Sequence, residues 1–521
     1  MKTLITLFAE KIEKEFLPDI FSWARSVPGA SKILICTGNE DVRAAAEKEI
    51  SALSETLPIV YADTALLADV LKAVLATVDD AENVVFGRLE CPFYDTKLTA
   101  ETYRLHTDFA AEYSFADGYP FGVVPEFAAT GTVRTLLSLC GMKDGFSEIP
   151  FTNDALFSLI KTDINSFDIE TLISPVDYRM LRLDFSYATK RGLVLCRELA
   201  SLKKDLTQKN GCEPSAVELC DAASVNARIL HTLPSFYGIQ VSSACAGTCT
   251  YCPYPAVCKA KFGTTPSACR TFMKKEDFAC LIDKIAAFSD DAVVSLSLWG
   301  ESLLHPDIVE LVKKVLSKPS LSILIETDCE NLTQPLIDEI ASVVKAASPR
   351  TNGKSALMWI CGVDAVTEET YRALHGENGL TLAAVTASVH ALEAAFPGDV
   401  YAQMVRVNEN ENELESFFRG WNNRIIQKYD CVSGQLPDRK PADLRPVKRN
   451  CCWHLRRDMS ILVDGSVPLC RQFMFGSVVG NAFTDDLATI WKASEERLSH
   501  HIEENYEGIC QDCDEFYTCN F

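Results

Sequence analysis

Short apolar runs alternate with amphipathic stretches over the first third of the 521-residue chain. The apolar runs predict strands and the amphipathic stretches predict helices; the strand patterns are KILICTG, PIVYAD and NVVFGRLECPFYD, and the helix patterns are EDVRAAAEKEISALSE and ALLADVLKAVLATV. This alternation predicts a parallel, doubly wound α/β sheet with helices on both faces. The opening sequence MKTLITLFAEKIEKEF predicts an amphipathic helix, and residues 181–232 predict a helical connector.

A second alternation of the same kind begins at FYGIQVSSAC. Its strand patterns lie at 236–242, 292–299, 321–328, 356–364 and 400–407, with a less regular sixth at 425–435. Helical patterns such as DIVELVKKVL and PLIDEIASVVKAA fill the gaps. Five or six strand–helix units predict a partial (β/α)6 barrel of the TIM type, whose loops after the strands carry the chemistry.

The polar stretch QLPDRKPADLRPVKRN predicts a linker after this barrel, and a short cysteine-rich tail follows it. We therefore expect four segments: an α/β domain at 1–180, the connector at 181–232, the partial barrel at 233–435 and a small C-terminal domain at 436–521.

Composition narrows the class of protein. The formal net charge of -22 argues against nucleic acid or an anionic membrane as the main partner. The sequence has no run of eighteen apolar residues and no leader cleavage pattern, which predicts a cytoplasmic protein. Its 21 cysteines then need a reason other than disulfides. Isolated ones are expected to be small core residues, whereas the clustered ones indicate metal.

Three cysteines form a C-x3-C-x2-C pattern directly after the first predicted barrel strand: Cys245, Cys249 and Cys252. Three thiolates can hold three irons of a cubane [4Fe–4S] cluster and leave the fourth iron open to a ligand. The alternative is a structural zinc site closed by Cys258. A thiolate on the open iron would block that ligand, so the cluster interpretation makes Cys258 a neighbour and not a ligand.

This pattern, with Tyr251 before its last cysteine, resembles the signature of the radical S-adenosylmethionine superfamily. SLWGESLLHPDI resembles the glycine–glycine–glutamate segment of that family, with Trp299 in place of the first glycine and Gly300 and Glu301 retained. The resemblance implies S-adenosylmethionine and a catalytic [4Fe–4S] cluster as cofactors. It also implies that Tyr251 and the segment 299–301 lie at the cofactor.

Two further segments are similar to the same family. IETDCENL places Asp328 where an asparagine is usual, and the resemblance implies a contact from Asp328 to the ribose hydroxyls. CGVDAVTEETYRALHG carries Asp364 and Arg372 at positions that the family has near its cofactor. Arg372 is then a partner for the methionine carboxylate; the alternative is an ion pair on a helix face.

The tail resembles the SPASM extension of these enzymes. The matching cysteines are Cys452 (or Cys451), Cys470, Cys510, Cys513 and Cys519. Five or six thiolates are too few for two four-ligand clusters, so we expect one auxiliary [4Fe–4S] cluster. Its expected ligands are Cys452, Cys470, Cys510 and Cys513, with Cys519 as a replacement or a ligand of a partial second cluster. The alternative is a zinc ribbon from the same residues.

The stretch beginning ECPFYD resembles the middle of cytidylyltransferase-like enzymes, with Glu90 and Asp95 at acidic, metal-binding positions. That family opens with a glycine-rich phosphate loop, which residues 1–40 lack, so we expect a degenerate, non-catalytic relative. The whole organisation resembles the spiro-SPASM family.

These resemblances imply a radical S-adenosylmethionine enzyme that abstracts hydrogen from a peptide, protein or small-molecule substrate. They also imply a one-electron donor such as flavodoxin or ferredoxin, and no nucleic-acid or membrane partner. No single residue is assigned to proton or hydrogen transfer. The alternatives are a metal-bound scaffold without turnover and an active N-terminal nucleotidyltransferase.

Overall fold

The computed structural model describes residues 1–50, 57–143, 145–146, 148–247, 249–268, 270–377, 379–428, 449, 451–473, 476–511 and 513. The chain divides into two compact units, Met1–Leu230 and His231–Phe521. The predicted linker around 435–450, which marks the expected domain boundary, lies almost entirely outside the described residues, as does Cys519.

The first unit is built on a seven-stranded sheet. Its strands are β1 (Thr3–Phe8), β2 (Ala30–Thr37), β3 (Ile59–Asp63), β4 (Asn83–Arg88), β5 (Tyr113–Asp117), β6 (Glu126–Ala129) and β7 (Ile169–Ile173). They lie in the order β3-β2-β1-β4-β6-β5-β7. All neighbouring pairs are parallel except those that involve β6, which runs antiparallel to both β4 and β5. The α/β class is as predicted, while the expectation of a purely parallel sheet is wrong at this strand.

Helices cover both faces of this sheet. They are α1 (Leu17–Ser26), α2 (Glu40–Ile50), α3 (Leu67–Thr77), α4 (Thr96–Asp108), α5 (Thr130–Met142), α6 (Ala155–Ile160), α7 (Lys190–Asn210), α8 (Ala216–Ser224) and α9 (Ala227–Leu230). One core contains side chains of α3, α5 and α6, and the other contains those of α1, α2 and α7. Residues 181–232, which the sequence predicts as a helical connector, contain α7 to α9, and these helices belong to the first unit.

The N-terminal sequence is a strand and not the predicted amphipathic helix. Every residue of β1 is buried, and the strand pairs with β2 on one side and β4 on the other. A central strand is covered on both faces, so TLITLF reads as a continuous apolar run without the period that distinguishes strand from helix. The amphipathic part of this segment is α1, which begins only at Leu17.

The second unit contains a seven-stranded parallel sheet. Its strands are β8 (Phe236–Ile239), β9 (Val293–Ser295), β10 (Ser322–Thr327), β11 (Leu357–Gly362), β12 (Val400–Arg406), β13 (Arg424–Lys428) and β14 (Asp458–Ile461). The order is β13-β12-β11-β10-β9-β8-β14. The sixth predicted strand is therefore present as β13, and a seventh comes from the C-terminal segment, where β14 pairs in parallel with β8.

Helices surround the outside of this partial barrel. They are α10 (Tyr254–Phe262), α11 (Lys275–Phe288), α12 (Ile308–Leu316), α13 (Gln334–Ala346), α14 (Glu368–His375), α15 (Leu382–Ala395) and α16 (Leu414–Gly420). A large core lies between strands and helices, and a smaller apolar group of Phe236, Val293, Leu324 and Ile360 forms on the inner face.

The C-terminal segment adds short elements. These are α17 (Trp453–Arg457), the hairpin strands β15 (Ser466–Pro468) and β16 (Val478–Asn481), α18 (Leu487–Ala493) and α19 (Glu495–Ile502). Among the described helices of the whole chain, none combines the length and apolar character that a membrane span needs.

Candidate active site

The three cysteines of the central pattern lie on the loop between β8 and α10. Neighbouring segments hold this loop at both ends. The backbone N–H of Glu301 donates to the carbonyl of Ala244 at 2.7 Å, and the N–H of Thr250 donates to the carbonyl of Leu374 at 2.8 Å. The loop is thus positioned at the carboxyl ends of the barrel strands, where α/β barrels carry their chemistry.

The thiols of Cys245 and Cys249 lie on either side of the backbone at Gly247. A Cβ atom at that position would lie 3.5 Å from the Sγ atoms of both Cys245 and Cys249, and 3.3 Å from a carboxylate oxygen of Asp328. Burial raises the pKa of the Cys249 thiol well above its usual range, and the charges of Cys252 and Asp328 raise it further. Burial, with Asp328, also raises the pKa of Cys245 to about 12.

These properties fit an iron–sulfur cluster. Buried thiols with raised pKa values become thiolates only beside a strong positive charge, which bound metal supplies. In the described ranges no three His, Cys, Asp or Glu side chains approach closely enough to share one metal ion. A cubane cluster does not need its thiolates to meet at one ion, because each thiolate binds its own iron. A structural zinc site needs four ligands on one ion.

Cys258 lies beside this trio but in an apolar environment. It is fully buried on α10, in a group with Tyr254, Leu298 and Leu462 against which Cys252 also packs. Its thiol therefore contributes to the packing behind the loop.

Gly300 explains how the loop and the 299–301 segment approach each other. Its φ is +83°, and a Cβ there would lie 2.3 Å from the carbonyl oxygen of Ser242 and 3.0 Å from that of Ala244. Only glycine fits both the backbone angle and the space. The side chain of Trp299 instead stacks on Tyr254 at 5.8 Å, and its indole N–H donates to the carbonyl of Arg471 at 3.4 Å. The bulky residue at the first glycine position therefore packs against the C-terminal segment.

Glu301 links the second and third barrel loops. Its buried carboxylate accepts hydrogen bonds from the N–H of Leu303 at 2.9 Å, the hydroxyl of Thr327 at 3.0 Å and the N–H of Asp328 at 3.2 Å. A carboxylate has about four acceptor positions, and these three donors with a further side-chain contact to Asp328 occupy them. Burial raises the pKa of Glu301 well above its usual range, and the nearby Asp328 adds to this effect.

Asp364 is the centre of a buried hydrogen-bond network at the end of β11. It has a φ of +60° and no solvent exposure. One carboxylate oxygen accepts the N–H of Val405 at 2.6 Å, and the other accepts the hydroxyl of Tyr251 at 2.7 Å. The second oxygen also lies 3.0 Å from Nε2 of His375. Tyr251 and Asp364 are thus brought together as a pair.

His375 is a residue that the sequence reasoning did not identify. Its Nδ1 lies 3.3 Å from Sγ of Cys249. The only sequence signal was its place in the ALHG end of a segment already matched to the family.

Arg372 takes a different place. Its Nε donates to Glu368 on the same helix at 2.8 Å, and a terminal nitrogen donates to the carbonyl of Glu377 at 2.5 Å. This is the helix-face ion pair that the sequence left open as an alternative, and among the described contacts Arg372 has none with the other predicted site residues.

The C-terminal cysteines separate into two groups. Cys452 precedes α17 and is 9% exposed. Burial raises the pKa of its thiol well above the usual range, the charges of Cys470 and Cys513 raise it further, and the backbone N–H groups of Leu455 and His454 oppose this. Cys452 therefore lies with Cys470 and Cys513.

Cys510 and Cys451 have cationic neighbours. Burial raises the pKa of Cys510, and Arg497 and Arg449 oppose the rise. Burial likewise raises the pKa of Cys451, which Arg456 opposes. Cys452 thus lies within electrostatic range of two of the other expected auxiliary ligands, Cys470 and Cys513, whereas Cys510 has Arg497 and Arg449 as its neighbours.

A small pocket of about 20 Å³ lies on the inner face of the barrel. Apolar side chains from β8, β10, β11 and β13 line it, together with the polar residues Glu326, Gln403, Gln427, Arg457 and Arg471. Burial raises the pKa of Glu326, and the Arg471 guanidinium opposes that rise. Because alternate residues of a strand share a face, Leu324, Glu326 and Asp328 lead from this pocket toward the cysteine loop.

The acidic residues of the first unit are engaged in its own fold. Glu90 is fully buried, and its carboxylate accepts the backbone N–H groups of Glu10 and, at 2.8 Å, Lys11. Asp95 accepts the N–H groups of Lys97 and Leu98 at the start of α4. Its other oxygen accepts the N–H of Ala216 at 3.2 Å, at the start of α8. Both carboxylates therefore stabilise loops and helix ends.

Comparison with known proteins identifies the class. The family model for the radical SAM superfamily matches residues 239–419, and that for SPASM, an iron–sulfur cluster-binding domain, matches residues 451–514. An uncharacterized protein of Treponema pallidum (strain Nichols) is 37% identical over 382 residues, which cover 71% of this chain and 100% of the relative. The chain belongs to the radical S-adenosylmethionine superfamily and carries a SPASM domain.

Solved structures are similar at lower identity. BtrN in complex with AdoMet and 2-DOIA is 16% identical, covering 55% of this chain and 94% of its own, with a TM-score of 0.36. A cytidylyltransferase of Leptospira borgpetersenii serovar Hardjo-bovis (strain JB197) is 14% identical, covering 44% of this chain and 96% of its own, also with a TM-score of 0.36.

Membership of the superfamily brings the cofactors with it. S-adenosylmethionine and a [4Fe–4S] cluster are the cofactors of the barrel, and the SPASM domain is a site of auxiliary iron–sulfur binding. The chain is therefore a radical SAM enzyme, and the prediction of its cofactors is confirmed.

Proposed function

We propose that this enzyme abstracts a hydrogen atom from a polar substrate bound at the carboxyl ends of the barrel strands, with Cys245, Cys249 and Cys252 as ligands of the catalytic cluster. When bound, the cluster and S-adenosylmethionine supply the 5′-deoxyadenosyl radical that does this chemistry. The observation that carries the proposal is the approach of Cys245 and Cys249 to Gly247 beside Asp328, with Cys252 near enough to Cys249 to raise its pKa.

The residues around the loop have separate tasks in this proposal. Gly300 allows close approach of the backbone to the loop, and Glu301 holds the segment of Asp328 in place. Asp328 and the Tyr251–Asp364 pair face the cofactor, where Asp328 accepts hydrogen bonds from ribose hydroxyls. Arg372 is the weakest of the proposed cofactor contacts, since Glu368 and Glu377 already occupy its guanidinium.

The pocket supports a polar substrate. Its polar side chains favour a substrate with amide, carboxylate or hydroxyl groups, because burying Glu326 and Arg471 against an apolar group costs free energy. A peptide, a protein side chain or a small carbohydrate-like molecule fits this description. The electron enters from a donor such as flavodoxin or ferredoxin.

Anaerobic incubation tests the proposal. The protein is reconstituted with iron and sulfide and mixed with S-adenosylmethionine and dithionite, and 5′-deoxyadenosine is measured. We expect product from the wild type and none from a variant with Cys245, Cys249 and Cys252 all changed to Ala. Cys258→Ala is the matched control and should retain turnover, because its thiol lies in apolar packing. Unchanged product from the triple variant would refute the ligand assignment.

We also propose one auxiliary [4Fe–4S] cluster in the SPASM domain. The grouping of Cys452 with Cys470 and Cys513 supports these three as ligands, and it favours Cys452 over Cys451. Cys510 is the proposed fourth ligand from the family pattern, with Cys519 as its substitute.

The first unit is proposed to be a non-catalytic relative of the cytidylyltransferases that serves for binding or docking. Two observations support this: Glu90 is fully buried, with Arg88 3.7 Å from its second carboxylate oxygen, and Asp95 accepts three backbone N–H groups at the starts of α4 and α8. The test is incubation of the intact protein with CTP, Mg²⁺ and sugar phosphates. Turnover that disappears in Asp95→Asn would refute the proposal.

A further inference from the structure

His375 is held rigidly at the end of α14, beside the cysteine loop. Its ring stacks on Tyr371 with centroids 4.4 Å apart and planes 17° apart. Tyr251 meets the same ring edge-on at 5.9 Å. The histidine is 7% exposed, so its ring plane is fixed by packing on two sides.

The two ring nitrogens of His375 face different partners. Nε2 lies 3.0 Å from the carboxylate of Asp364, and Nδ1 lies 3.3 Å from Sγ of Cys249. Asp364 is itself fixed by the N–H of Val405 and the hydroxyl of Tyr251. The result is a carboxylate–histidine–thiol chain that ends on a proposed cluster ligand.

We propose that His375 is a positioning residue that tunes the catalytic cluster by donating its Nδ1–H to the sulfur of Cys249. The inference rests on the proposed function, because it takes Cys249 as an iron ligand. A cluster-bound sulfur carries no hydrogen, so the hydrogen in this contact comes from the ring. Asp364 keeps the ring in the orientation that aims Nδ1 at the sulfur by accepting the Nε2–H, so both ring nitrogens carry a hydrogen in the proposed arrangement.

This contact changes the electronics of the cluster. Hydrogen bonds to cluster sulfurs are among the factors that set reduction potentials. A donor stabilises the added negative charge of the reduced cluster and makes reduction easier. Among the described contacts of Cys245, Cys249 and Cys252, the one with His375 is the only contact with a side-chain nitrogen.

Three substitutions of His375 distinguish the effect of its Nδ1 contact from that of its Nε2 contact. His375→Asn places an amide nitrogen near the position of Nδ1 and keeps a donor for Cys249. His375→Gln places its amide near Nε2 and keeps the contact with Asp364 alone. His375→Phe retains stacking on Tyr371 and loses both contacts.

The measurement is the midpoint potential of the catalytic cluster in the reconstituted full-length protein, followed by electron paramagnetic resonance. The signal that changes when S-adenosylmethionine is added identifies this cluster. We expect a more negative potential in the Phe and Gln variants, and recovery of most of that shift in the Asn variant. Equal potentials in all four proteins, or the same shift in Asn as in Phe, would overturn the inference.

A second readout does not depend on how the variants fold. Wild-type protein is labelled with ¹⁵N-histidine, and pulsed resonance on the reduced cluster measures hyperfine coupling to ¹⁵N. We expect a coupling, and its absence overturns the inference. Different results would refute the proposed function and the role of His375. A wild type whose electron paramagnetic resonance signal does not change with S-adenosylmethionine refutes the proposed function. A signal that changes with S-adenosylmethionine but shows no ¹⁵N coupling refutes only the role of His375.

Discussion

Carboxylates follow strands in both units of this chain, and they differ in what they bind. In the first unit, Glu90 lies two residues after β4, and Asp95 begins α4; both accept backbone N–H groups of the same unit. In the second unit, Asp328 follows β10 and lies beside the cysteine thiols. Position after a strand is therefore a weak indicator of chemistry. The hydrogen bonds that a carboxylate already accepts decide whether it remains available for a ligand.

The largest expected effect concerns Cys451 and Cys452, two adjacent cysteines whose neighbouring groups differ. Cys452→Ala should remove the auxiliary cluster, with loss of about four of eight irons, because its sulfur lies with those of Cys470 and Cys513. Cys451→Ala is the matched control and should keep the full iron content, since its neighbour is Arg456. Iron and sulfide analysis after anaerobic reconstitution measures both. Loss of iron in Cys451→Ala alone would reverse the assignment.

A second prediction concerns the close approach at Gly300. Gly300→Ala adds a methyl group 2.3 Å from the carbonyl oxygen of Ser242, at a φ of +83°. We expect loss of more than about 3 kcal/mol in the free energy of unfolding of the second unit. Gly353 has a φ of +69° and open space around it, so Gly353→Ala isolates the backbone cost of about 1 to 2 kcal/mol. Urea denaturation measures both; equal losses would show that the close approach is unimportant.

A third prediction compares the carboxylates directly. Asp328→Ala should raise the KM for S-adenosylmethionine about 10- to 100-fold, since hydrogen bonds to a charged group contribute about 1.5–3 kcal/mol and alanine offers no acceptor in its place. Asp95→Asn should leave this KM unchanged, and it should also preserve the helix start, because asparagine caps helices as well as aspartate does. The measurement is the rate of 5′-deoxyadenosine formation against cofactor concentration. A similar effect of the two substitutions would contradict the comparison.

The sequence predicted much of this molecule because its signals are local. The C-x3-C-x2-C loop and the barrel strands depend on spacing and on runs of apolar residues, and five strands appear within a few residues of their predicted bounds. Two features of the fold depend on distant partners. The sequence of β1 has the pattern of a helix, and its strand conformation depends on burial between β2 and β4. The direction of β6 is set by its pairing with β4 and β5. The strand β14 joins the barrel from more than 200 residues after β8, which no local pattern indicates.

The residues of the site that lie in local motifs were predictable from the sequence, and those that depend on long-range packing were not. Cys245, Cys249, Cys252 and Glu301 follow from motif positions, whereas the contact of His375 with Cys249 spans 126 residues and depends on how α14 packs on the loop. The ion pair of Arg372 with Glu368 was visible at helical spacing, but only the structure shows that it forms.

The smallest expected effect concerns Glu126, a carboxylate of the first unit that differs from Glu90 and Asp95. Burial on β6 raises its pKa from 4.5 to about 7; a hydrogen bond from Tyr113 opposes the rise, and Asp154 adds to it. The folded state therefore binds this proton more tightly than the unfolded state does. The contribution of protonated Glu126 to the free energy of unfolding is therefore fully present below pH 4.5 and is lost as the pH rises through about 7.

Glu126→Gln removes this titration. We expect the free energy of unfolding of the variant, relative to the wild type, to be greater at pH 8 than at pH 5. The expected increase is about 1 to 2 kcal/mol after allowance for partial exposure. Urea unfolding of the first unit at both pH values measures the gain. Glu101→Gln, on the exposed face of α4, is the matched control and should show no pH-dependent difference. A gain that is the same at both pH values would mean that Glu126 stays ionised in the fold, and would contradict the raised pKa.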